Sequence, residues 1–132
     1  MNLEYSDEEL AAIYELGRLY FEMGYFPPAE RIFSGLAVVD RATTPARLGL
    51  GLVKLELGLY REAVSHLRSA LQSGKGELQA KLGLCAAFIG AGDVSRAKSL
   101  LSEVSQELNQ AQLIDPELKI LYDAFVTRCN AE

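Results

Sequence analysis

The chain has 132 residues, 49% of them apolar and 23% charged, which is the balance of one globular domain spanning 1–132 rather than of a disordered chain. Thirteen basic against eighteen acidic residues leave a net charge of −5, which argues against nucleic acid or an anionic membrane as partner, since both need a basic face. Cys85 and Cys129 stand far apart with no CxxC pair, so neither a disulfide framework nor a structural zinc site is expected. The longest uncharged apolar run, Leu82 to Gly92, is too short to insert in a bilayer. Met1-Asn2-Leu3-Glu4 has neither the basic nor the apolar region of a secretory signal, so a cytoplasmic location is expected.

In chain order, Ser6 followed by Glu9 has the spacing of a capping box and opens a first helix. Asp7, Glu8 and Glu9 favour the first turn of that helix electrostatically. Pro27-Pro28 and Thr44-Pro45 open later helices, where a missing N–H costs little. Ser73-Gly74-Lys75-Gly76 is a breaker, and Asp93 is placed to cap a helix start. Asp115-Pro116-Glu117 starts a seventh helix, 116–129, whose Leu118, Leu121, Tyr122 and Phe125 form one apolar stripe suited to cover the end of a stack. No strand pattern occurs, and an all-α fold is expected.

A repeat with a period of 34 organises these elements. Gly24, Gly58 and Gly92 mark the register. Around each glycine recur a leucine (Leu16, Leu50, Leu84), a small residue (Gly17, Gly51, Cys85), an alanine (Ala29, Ala63, Ala97) and a large apolar residue (Phe33, Leu67, Leu101). Antiparallel helix pairs explain each column. The glycine ends a first helix in a left-handed cap, the small residue admits a second helix, and the alanine sits where the two cross.

Chemistry-bearing clusters are missing. His66 is the only histidine and reads as a surface or half-buried polar residue. Cys85 falls in the small-residue column, and Cys129, near the end of the last helix, is expected to be partly exposed. Gly49-Leu50-Gly51 lacks the third glycine of a dinucleotide fingerprint, and Gly74-Lys75-Gly76 lacks the hydroxyl residue of a phosphate loop. No nucleophile–base pair is present, so no enzyme, metal or cofactor is expected.

This period and these columns resemble the tetratricopeptide repeat. The resemblance implies three helix-turn-helix units, 10–43, 44–77 and 78–111, in a right-handed superhelix closed by a C-terminal capping helix. Its departures are Ile13, Arg47 and Lys81 in place of the fourth-position tryptophan, and Lys54 in place of the aromatic of the second unit. In the family, positions two, five, nine and twelve of each unit face the concave groove. Here these are Ala11, Tyr14, Arg18 and Phe21, then Pro45, Leu48, Leu52 and Leu55, then Gln79, Leu82, Ala86 and Ile89. Tyr14 and Arg18 replace the lysine and asparagine with which some family members clamp a carboxylate. The groove therefore implies apolar anchors, each contributing about 1.5–3 kcal/mol when buried.

The stretch from Leu10-Ala11-Ala12-Ile13-Tyr14 through Gly24-Tyr25-Phe26, Ala29 and Phe33 to Val38-Val39-Asp40 is similar to the first repeat of the tetratricopeptide chaperones of bacterial type III secretion. Leu48-Gly49-Leu50-Gly51 with Gly58-Leu59-Tyr60 and Ala63 is similar to the second, and Gly92-Asp93 with Ala97 to the third. The resemblance implies a cytoplasmic, non-catalytic chaperone that holds an apolar segment of an export client. Its groove would comprise Tyr14, Arg18, Phe21, Leu48, Leu52, Leu55, Leu82, Ala86 and Ile89. The partner would be a secretion substrate or a small co-chaperone. Alternatives are a chaperone of a needle or other early export subunit, and a structural adaptor whose groove is closed by a second copy in a homodimer.

Overall fold

The computed structural model describes residues 5–39, 42–72, 77–110 and 116–130. They form seven helices: α1 (Asp7–Glu22), α2 (Phe26–Ala37), α3 (Thr43–Glu56), α4 (Tyr60–Gln72), α5 (Glu77–Gly90), α6 (Val94–Gln110) and α7 (Pro116–Asn130). Each helix packs on the next. In addition α1 touches α3, α3 touches α5 and α5 touches α7. The first helices and α7 thus make one inner layer, with α2, α4 and α6 outside it. The breaker 73–76 and Asp115 lie outside the described residues.

The local signals of the sequence act as expected. Ser6 Oγ accepts the Glu9 N–H at 3.1 Å, and the Ser6 N–H donates to Glu9 Oε1 at 2.9 Å, which completes the capping box. Asp93 Oδ1 accepts the Arg96 N–H and caps α6. Gly24, Gly58 and Gly92 have φ of 80°, 77° and 85°, a left-handed backbone that side chains disfavour. At each, the glycine N–H and the next residue's N–H reach back to close a double turn. The bonds run Gly24 to Phe21 and Tyr25 to Tyr20, Gly58 to Leu55 and Leu59 to Lys54, and Gly92 to Ile89 and Asp93 to Phe88.

The crossing columns build the core. Ala29, Ala63 and Ala97 are completely buried. A Cβ on Gly51 would stand 2.5 Å from Leu67 Cγ, so only a hydrogen lets α3 and α4 meet at this distance. Gly49 has the same purpose against the Phe33 ring, which accounts for a glycine pair inside a helix. Leu48, Leu50 and Val53 are buried, Leu52 and Leu55 half-buried, and Leu57 exposed. The leucines around α3 are therefore divided between the core and an open face.

The three charged departures from the repeat pattern, Lys54, Arg47 and Lys81, each have a side-chain partner. Lys54 Nζ lies 3.2 Å from Glu30 Oε1 on α2 and 3.2 Å from Glu62 Oε2 on α4. Burial works against the ammonium, but the two carboxylates outweigh it and hold Lys54 above its ordinary range. Arg47 Nη1 contacts His66 Nδ1. Lys81, buried on α5, pairs with Glu107 on α6.

Cys129 departs from expectation. It is 2% exposed, not a partly exposed thiol. The face of α7 that packs on the core carries Tyr122, Phe125, Val126 and Cys129. The expected stripe is shifted: Leu121 is 44% exposed, and the Leu118 side chain lies outside the described residues. Burial, reinforced by Cys129, pushes the Cys85 thiol up to about 12. That thiol is therefore neutral at physiological pH and serves packing.

Candidate functional site: the concave groove

The inner layer leaves an apolar cavity of about 530 Å³. Phe21 of α1, Leu52 and Leu55 of α3, and Leu82 and Ala86 of α5 form three of its walls. All five occupy inner-face positions of the repeat. Gln79, also an inner-face position, and Glu56 bring the polar groups to its lining. A fourth wall comes from α7, through Leu121 and Phe125. Sequence reasoning misses this wall because it assigns both residues to covering the end of the stack. The available signal is that Ile120, Leu121, Tyr122, Phe125 and Val126 spread over more than one face of α7.

The remaining expected residues are distributed differently. Tyr14 lies in a separate recess of about 400 Å³ with Ala11 and Pro45, and its ring packs on Phe33 at 5.6 Å between centroids. Burial, with Glu15 adding to it, raises the Tyr14 phenol above its ordinary range. Arg18 is exposed, but Glu15 at 3.0 Å and Glu22 pair with it along α1. The single cation of the inner face is therefore matched by its own helix. Leu48 and Ile89 are each 8% exposed and belong to the core cluster with Leu84 and Cys85. Ile89 also borders a recess of about 140 Å³ with Leu55, Ala86 and Phe125. Leu82 is only 2% exposed, yet it forms cavity wall.

The site offers surface rather than chemistry. His66 is half-buried on α4, and its ring nitrogen is engaged by Arg47. Among the described residues no three His, Cys, Asp or Glu side chains stand together as a metal site. No described helix is long and apolar enough to cross a membrane. An apolar cleft edged by a few polar groups is the usual form of a recognition site.

The sequence profile of the tetratricopeptide repeat matches residues 54–121, half of the chain. The chain belongs to the tetratricopeptide repeat family. Among solved structures it is similar to the type III secretion translocator chaperone SycD of Yersinia enterocolitica, with a TM-score of 0.81 and 21% identity over 96% of this chain and 92% of that one. PcrH from Pseudomonas aeruginosa superposes with a TM-score of 0.80 at 22% identity, covering 97% of this chain and 94% of that one. SycD in complex with a peptide of the translocator YopD gives a TM-score of 0.80 at 25% identity, over 98% and 95% of the two chains. No curated protein sequence matches the chain. The fold is thus shared with these structures along nearly their whole length.

Proposed function

We propose that this chain is a non-catalytic chaperone of a bacterial type III secretion system, which holds an apolar segment of an export client in its concave groove in the cytoplasm. The observation that carries the reading is the apolar cavity itself, with Phe21, Leu52, Leu55, Leu82 and Ala86 on repeat positions that face inward. Its fold neighbours support the reading. SycD has been solved with a peptide of YopD, and PcrH with the chaperone binding regions of PopD and PopB. Tyr14 supplies a second anchor site toward the N-terminal end. Leu48 and Ile89 act by supporting the wall from behind.

Co-purification from the native host tests this. Leu52→Asp and Leu55→Asp place a charge in the cavity at half-buried positions, so the client is lost from the pull-down, while circular dichroism checks that each variant remains folded. Client retained by both variants would remove the groove from consideration.

A second reading concerns self-association. Ala12, Leu16, Leu19 and Met23 follow one line along α1 and are all exposed, with Tyr25 beside them. A line of this kind supports a homodimer formed through α1, separate from the groove.

A further inference from the structure

We propose that the client segment continues from the groove over Tyr60 into a basic cleft, and that it therefore carries an acidic stretch beside its apolar anchors; this rests on the groove reading above. The main cavity and the recess of about 140 Å³ share Leu55, Ala86 and Phe125. That recess ends at Tyr60, and Tyr60 also borders a cleft of about 230 Å³ on its other side. Three hollows thus form one track from the concave face to the edge where α4 and α6 begin.

Tyr60 is the ridge between the last two hollows. Its ring presses on the end of α5 so closely that a Cβ on Gly90 would stand 2.4 Å from it. Beyond the ridge two arginines and Asp93 join an otherwise apolar lining. Arg61 and Arg96 line the cleft, and Arg128 of α7 lines the recess before it. The guanidinium carbons of Arg68 and Arg96 each lie 5.8 Å from the centroid of Phe88, which is one of the residues lining the cleft.

Carboxylates do not balance this cluster. Asp93 pairs with Arg96 at 3.3 Å. Among the described residues no carboxylate lies within ion-pair distance of Arg61, Arg68 or Arg128. Among the described residues, a chain of net charge −5 thus places two arginines without an ion-pair partner, Arg61 and Arg128, along this track. Such a field attracts and orients an acidic segment and disfavours a basic one.

Selection from a phage-displayed peptide library with large apolar residues at varied spacing and random flanks tests the proposal, using the full chain as bait. Groove-dependent clones are those lost on Leu55→Asp. The expected result is that these clones carry Asp or Glu on one flank. Replacing that flank by Gln in a labelled synthetic peptide then weakens binding about five- to tenfold at low salt, and less at high salt. Arg61→Gln with Arg128→Gln, both at exposed positions, removes the difference between the Glu and Gln peptides. Groove-dependent clones without an acidic flank, or equal affinity of the Glu and Gln peptides, overturn the inference and leave the groove reading intact. If no clone depends on Leu55, the groove reading fails and this inference fails with it.

Discussion

Arg47 Nη1 lies 3.1 Å from His66 Nδ1, and this contact joins α3 to α4 in the middle of the solenoid. Because a guanidinium only donates, His66 accepts at Nδ1 and is neutral with its proton on Nε2. Burial, then the charges of Arg47 and Lys54, hold the imidazole below its ordinary value of 6.5, against a smaller opposite influence from Glu62 and Glu30. The unfolded chain then binds a proton that the folded chain refuses. Stability is full above about pH 6.5 and falls as pH is lowered below it. The Glu9 carboxyl, held low by its bonds to Ser6, adds a loss only near and below 4.5. Urea unfolding between pH 7.5 and 5.5 is expected to show a falling midpoint for wild type and a flat one for His66→Gln; equal slopes would contradict the assignment.

Gly51 faces Leu67 across the α3–α4 crossing with no room for a methyl group. Gly51→Ala gains up to about 1 kcal/mol of helix propensity, but it must displace a completely buried leucine, which costs about 1–3 kcal/mol. A net loss is expected. In a double-mutant cycle with Leu67→Ala, the two losses should be strongly less than additive, since the smaller partner relieves the clash. Additive losses in denaturant titrations would show that the two side chains do not meet.

The features legible in the sequence are those with a local or one-neighbour cause. A left-handed cap needs glycine wherever it occurs, so Gly24, Gly58 and Gly92 announce the turns, and Ala29, Ala63 and Ala97 announce the crossings. The face of α7 was not legible in this way. Its apolar residues wrap around the helix, and the surfaces of α5 and α6, not periodicity, decide that Cys129 turns in and Leu121 turns toward the cavity. Lys54 reads as a defect in an aromatic column. Its partners Glu30 and Glu62 sit on two other helices, and only the fold brings them to 3.2 Å. Leu48 and Leu52 both lie at inner-face repeat positions, but α3 turns the first into the core and the second into the cavity.

Leu121 makes the α7 wall a test of the groove that avoids the repeats altogether. Its side chain is exposed and borders the cavity, so Leu121→Ala removes contact area that the folded core does not need. Client affinity is expected to fall by about 1 kcal/mol, roughly fivefold, with less than 0.5 kcal/mol change in stability. Tyr122→Ala, on the packed face of the same helix, should reverse the order and lower Tm first. Isothermal titration and thermal denaturation of the two variants separate the roles, and equal effects of both on stability would deny α7 a part in the groove.

Leu16, Leu19 and Met23 stand exposed on α1, away from the cavity. If this line is a self-association surface, burying it against a second copy removes about three large apolar side chains per protomer from water, each worth about 1.5–3 kcal/mol before the cost of association. Sedimentation of wild type should then show a mass that rises with concentration toward a dimer, and Leu16→Glu with Leu19→Glu should hold the chain monomeric. Because neither residue lines the groove, the monomeric variant is expected to keep its client. Loss of client together with loss of the dimer would instead mean that the two copies share one binding surface.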